Sequence, residues 1–181
     1  MLIKLRRLSI IIILLLSSAF PTKQLCANSN DEYKVKMLLT YNLSRYTYWP
    51  ENIAKENFNF CILDNEQLAQ VFLALKDKTL KNRKVTVTSV SSKQGKLGEL
   101  TNCQVLYIDS KDRNTIALAL AEVSENPTLT IGQLPDFIDH GGIINLYWQE
   151  KKIRFAISTK AIKRASLKIS ANVLELAKII D

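Results

Sequence analysis

The order of apolar and polar residues divides the chain into alternating helical and extended segments whose rhythm changes in the last third. Residues 31–49 read as a helix, with Val35, Leu38, Leu39, Tyr46 and Trp49 on one stripe and Met37, Tyr41 and Tyr48 on another. Two apolar stripes predict burial on both sides. Pro50 disfavours helical backbone at Trp49, so the helix should stop there and leave an aromatic group at its carboxyl end. Phe58–Leu63 is an apolar run of the kind found in buried strands. Asp64 or Asn65 can then cap a helix in which Leu68, Val71, Phe72 and Leu75 recur at i, i+3, i+4 and i+7, giving one apolar face.

Lys84–Val90 is dominated by β-branched residues and reads as a strand, 91–99 as a loop with two glycines, and Gln104–Ile108 as a short buried strand. Asp109 or Ser110 is expected to cap a helix over about 111–124 with Ile116, Leu120 and Val123 inward, and Thr128–Ile131 follows the Asn126-Pro127 break as a strand. Strand and helix thus alternate twice, which favours parallel strands with crossover helices on both sheet faces. Ile143–Trp148 and Ile153–Ser158, separated by the polar 149–152, predict an antiparallel hairpin. Two short helices should follow, one after Thr159 and one after Ser170, the second turning Val173, Leu174, Ala177 and Ile180 inward. The fold class predicted is a single-domain α/β three-layer sandwich, its mixed sheet built from β-α-β units and a C-terminal antiparallel hairpin.

Charge changes the picture once the amino terminus is read. The 181-residue chain carries +8, but Lys4, Arg6 and Arg7 precede the apolar run Ile10–Leu16, set within Leu8–Phe20 and followed by Pro21. This is signal-peptide anatomy, and it falls short of the roughly 20 apolar residues a spanning helix needs. A cut after Ala27 fits the small residue a signal peptidase takes, with Ala19 the competing position, and Leu25 is unlike the small residue that precedes a lipidated cysteine such as Cys26 would be. The expected organisation is a cleaved signal over 1–27 and one domain over 28–181. Four basic residues and no acidic one leave with the signal, so the mature chain carries +4 and gives little support for a nucleic-acid partner. Export also leaves two cysteines, Cys61 and Cys103, for which a disulfide is the default in an oxidising compartment.

Candidate chemistry is sparse. The single histidine, His140, precedes Gly141-Gly142 and reads as a turn residue, the cysteines form no CxxC, and Gly95 and Gly98 lack a phosphate-loop pattern. The carboxylates form no evident acid/base pair. No catalytic residue, metal or cofactor is expected. The basic segment Lys76–Lys84 reads as a solvated loop or as a docking face for an acidic partner. Tyr41, Tyr46, Tyr48 and Trp49 read as core, or as a stacking pocket of a soluble receptor that binds an aromatic metabolite and feeds a sensor kinase.

Five short patterns in order carry a resemblance: YNLSRYTYWP at 41–50, FNFCILD at 58–64, LTNCQVLYI at 100–108, LTIGQLPDFIDHGGIINL at 129–146, and the closing IRFAISTKAIKRASLKISANVLELAKII. Together they resemble the YfiR-like periplasmic proteins. The resemblance implies a non-enzymatic repressor that binds the periplasmic sensor domain of an inner-membrane diguanylate cyclase, lowers cyclic di-GMP output and so affects biofilm behaviour. It also implies an outer-membrane-associated lipoprotein as releasing partner, a homodimer, and Tyr41, Asn42, Trp49, Pro50, Gly141 and Gly142 as structural motif residues. By motif position it points to Ile144 and Ile162 as partner contacts. The chain departs from the pattern at Ile138 and Asn145, where some members carry a second disulfide, at Thr159 in place of Asn, and at Ser166-Leu167 in place of Gly-Leu, where Ser166 is expected to need a less strained backbone.

Overall fold

Strand β2 (Asn57–Leu63) sits inside the sheet because both of its faces are apolar: Phe58, Phe60 and Ile62 enter one core and Cys61 and Leu63 the other. Strand β5 (Val105–Ile108) repeats this division, with Val105 and Tyr107 facing the first core and Leu106 and Ile108 the second. The computed structural model describes residues 29–51 and 56–181, so the expected signal segment lies outside the described residues. The main sheet has eight strands in the order β10-β8-β7-β6-β5-β2-β4-β3, formed by β3 (Thr79–Leu80), β4 (Arg83–Val90), β6 (Leu129–Gly132), β7 (Ile144–Gln149), β8 (Lys152–Ser158) and β10 (Lys178–Ile180) besides β2 and β5. Strands β4, β2, β5, β6 and β7 run parallel, whereas β3 and β8 are antiparallel to their neighbours β4 and β7.

Helices α1 (Ser29–Arg45) and α2 (Glu66–Phe72) contribute Met37, Leu43, Leu68 and Phe72 to the first core; α3 (Arg113–Glu122) contributes Ile116, Ala119 and Leu120 to the second. The layered α/β architecture read from the alternation is the one observed. Asn65 caps α2, its Oδ1 accepting from the Leu68 amide at 2.8 Å. At the β7–β8 tip, Glu150 and Lys151 take φ of 49° and 60°, the two left-handed residues of a tight hairpin turn whose twist matches the strands it joins. Gln149 and Lys152, expected in the loop, already pair with each other.

Five features differ from the sequence reading. Helix α1 ends at Arg45, before Trp49, because Thr47–Tyr48 (β1) leaves the helix to pair antiparallel with Lys168–Ile169 (β9). Its buried side is also not the apolar stripe: Lys36, Met37, Thr40, Leu43 and Ser44 face inward, while Val35 and Leu38 are 49% and 53% exposed. The buried hydroxyl of Ser44 donates to the Thr40 carbonyl at 2.8 Å, and that of Thr47 to Leu43 at 2.8 Å, so small self-bonded side chains let the helix approach the core closely. Helix α3 is capped by Asp112, not Asp109 or Ser110; the Asp112 carboxylate accepts from the Asn114 and Thr115 amides, and Asp109 bonds to Asn65 and Gln133 instead. After α4 (Thr159–Arg164), the last helix, α5 (Ala171–Leu174), is a single turn, because residues 178–180 join the sheet beside β8. Ser166 keeps a left-handed backbone at φ 53°, contrary to the relaxed conformation expected there.

Candidate functional site

Cys61 and Cys103 are joined, with their Cα atoms 5.8 Å apart, and both side chains lie inside the second core. The bond ties the middle of β2 to the residue group that leads into β5. The four aromatic residues of the α1 motif separate. Tyr41, on α1, packs partly buried against the first core, Trp49 meets Phe58 edge to face at 5.1 Å, and Tyr46 and Tyr48 are 44% and 54% exposed. Asn42 accepts the Tyr46 amide through its backbone carbonyl, which closes the last turn of α1. Tyr48, Trp49 and Pro50 line a hollow of about 320 Å³ with Lys81 and Arg83. The basic segment is drawn back onto this end: Lys81 lies 4.6 Å from the Tyr48 ring and donates to the Arg45 carbonyl, Arg83 covers Phe58 at 5.0 Å, and Lys84 pairs with Asp77 at 2.8 Å.

The Gly-Gly pair has two separate reasons. Gly141 adopts φ 95°, and its carbonyl accepts from Arg164 at 2.7 Å. At Gly142 a Cβ would stand 2.1 Å from the Phe137 ring, and at Gly132 one would stand 2.5 Å from the same ring. Phe137 is therefore clamped between two glycines and fully buried. Ile144 and Ile162 are 0% and 8% exposed within the first core, so in this conformation neither presents its side chain on the surface.

What the surface does present is a groove between α1 and α2. It holds about 720 Å³ and is lined by Met37, Leu38, Val71 and Ala74, with Asn30, Lys34, Gln67 and Gln70 around them. Its one charged group, Lys34, pairs with Asp31 at 3.3 Å. Together with exposed Val35 it makes an apolar surface that periodicity alone assigned to the core, since the helix was expected to be covered on both sides.

At the carboxyl ends of the parallel strands, Asp109 accepts from Gln133 Nε2 at 2.7 Å and from Asn65 Nδ2, and Asn65 Nδ2 also reaches the Tyr33 hydroxyl at 3.3 Å. Beneath them Tyr107 is fully enclosed; burial first, then the nearby Asp109 and Glu32 carboxylates, push its phenol far above the ordinary range, so it stays protonated. This network joins α1, β2, β5 and β6. No cluster of three or more potential metal ligands occurs among the described residues, and His140 lies 3.4 Å from Asp136 on the Gly-Gly turn.

The Asp136 carboxylate is held below its ordinary range chiefly by a 2.7 Å hydrogen bond from Arg113, which pins the loop before the Gly-Gly turn to α3. A pKa depressed in the folded state stabilises the fold above the unfolded value near 4, and that support disappears as pH falls through the folded value. Thermal melts of an Asp136→Asn variant should therefore show a shallower loss of Tm than the parent as pH falls below about 4. Parallel curves would contradict the assignment.

A family model described as YfiR/HmsC-like matches residues 33–178. The chain belongs to the YfiR/HmsC-like family. This family is known as regulatory rather than catalytic. No curated protein matches. Among solved structures, a conserved domain protein from Vibrio cholerae O1 biovar El Tor aligns with a TM-score of 0.58 at 12% identity, over 82% of this chain and 60% of that one. The ABC domain in complex with L-Trp from Streptococcus pneumonia aligns with a TM-score of 0.57 at 10% identity, again over 82% and 60%. The YfiR/HmsC-like chain thus spans about 60% of the length of these two proteins, and at such identities the likeness is one of fold. No helix among the described residues is long and apolar enough to cross a membrane.

Proposed function

We propose that this YfiR/HmsC-like protein is an exported, periplasmic, non-enzymatic regulator that docks onto the periplasmic sensor domain of an inner-membrane diguanylate cyclase and represses it. The output is lower cyclic di-GMP. Export follows from a signal cut after Ala27, and the Cys61–Cys103 bond suits the oxidising compartment beyond it. The observation that carries the reading is the α1–α2 groove, an exposed apolar concavity with amide rims on a member of a regulatory family. Repression and its release need only two partners that compete for the regulator with different affinities, a requirement met by surfaces and not by catalytic groups. The releasing partner in this reading is an outer-membrane lipoprotein, and the regulator itself is a homodimer.

The test is titration calorimetry of the mature protein against the periplasmic domain of the cyclase encoded nearest to it. Leu38→Glu, at an exposed groove position, is expected to weaken binding by about tenfold or more while leaving Tm nearly unchanged. In cells, deleting the gene should raise cyclic di-GMP. Unchanged affinity in the Leu38 variant would move the docking site elsewhere; no binding and no change in cyclic di-GMP would overturn the function.

A further inference from the structure

Among the described residues the second core takes no residue from β6, β7, β8 or β10, so this part of the sheet is not covered by that core. Along it runs a trough of about 690 Å³, walled on one side by Pro135, Ile138 and Asp139 and on the other by Lys178 and Ile180 of β10. Its depth follows from the strand register. Asn145 lies between Gly132 of β6 and Ala156 of β8, two residues too small to cover it.

Asn145 is only 7% exposed, lines the trough, and its Oδ1 has no hydrogen-bond partner among the described residues. Buried amides in folded proteins are normally paired, because the water they lose must be replaced. An amide presents an acceptor and a donor side by side, and a single hydroxyl, or two adjacent ones, can satisfy both at once. Tyr147 and Gln149 follow Asn145 along the same face and line the same trough, adding an aromatic ring and a second amide. The charges at its margins, Asp139 and Lys178, are of opposite sign and fall on opposite walls, so the trough selects for no net charge. We propose that this trough is a binding site for a neutral saccharide of one or two rings, with Asn145 as the hydrogen-bonding residue at its floor and Tyr147 as the surface against which a ring lies. The volume falls within the range of small-ligand pockets. The site is on the sheet face opposite the α1–α2 groove, so the inference stands apart from the docking reading.

Saturation-transfer NMR of mature residues 28–181 against glucose, galactose, N-acetylglucosamine, maltose, lactose and trehalose tests it. At least one sugar is expected to bind with a Kd of about 1 mM or tighter. Asn145→Leu should abolish that signal without lowering Tm, since it replaces a buried side chain whose Oδ1 is unpartnered with an apolar group. If that variant does not fold, Tyr147→Ala, on a partly exposed residue, should weaken the same sugar by about tenfold. Absence of binding by the whole panel, or binding that survives both substitutions, overturns the proposal.

Discussion

Replacing Cys61 and Cys103 together by alanine is expected to lower the free energy of unfolding by about 3–4 kcal/mol, read as a fall in the urea midpoint. The bond closes a sequence separation of 42 residues, and most of its effect is on the unfolded chain, which it prevents from expanding. The m-value should rise in the variant for the same reason, because more surface becomes exposed on unfolding. Both sulfurs are also core atoms, packed among residues that include Leu100 and Leu106, so the substitution leaves a small void besides. A midpoint shift equivalent to less than about 1 kcal/mol would mean that the unfolded chain is already constrained across this loop.

Phe137→Ala should cost about 3–5 kcal/mol, the usual range for emptying a fully buried aromatic site. Gly142→Ala should cost about 1–3 kcal/mol or more by overpacking, because its methyl group would enter the space the Phe137 ring occupies. The informative measurement is the double variant. Removing the ring removes the obstacle, so the two losses should fall short of adding by about 1–3 kcal/mol in a chemical-denaturation cycle. Additive losses would show that Gly142 is required by its backbone and not by the ring.

Much of the layered sheet was legible because its strands write their burial into their composition. Phe58–Leu63 and Val105–Ile108 are apolar on consecutive positions, which few environments other than a sheet interior tolerate, and capping at Asn65 followed from the side chain's competition for backbone amides. The closing strand β10 was not legible: three residues at a sheet edge carry no period long enough to detect, and Val173, Leu174 and Ala177 continue a helical spacing up to it. Likewise Thr47–Tyr48 leaves α1 for a tertiary reason, the backbone of Lys168–Ile169 more than 100 positions away. The orientation of α1 was misread because Thr40 and Ser44 look like a solvent face until both are seen buried, with the Ser44 hydroxyl bonded to the helix's own Thr40 carbonyl. For the candidate surfaces the limit was similar. The groove needs two helices to be placed before Leu38 and Val71 become neighbours, and the trough exists through the register that sets Gly132 and Ala156 beside Asn145.

The strand order carries a consequence for how the chain assembles. From β2 the sheet grows first in one direction, to β4, and then in the other, through β5, β6 and β7. When β5 is ready to join, a nascent β2–β4 pair offers it two open edges, and only one leads to the native topology. The short hairpin of Thr79–Leu80 against Arg83–Lys84 obstructs the outer edge of β4 at its entrance, leaving β2 as the accessible template. Cys61 on β2 and Cys103 just ahead of β5 come together only when that choice has been made. Disulfide formation would then act as a proofreading step, sealing chains that turned the correct way and leaving those that did not with two reactive thiols.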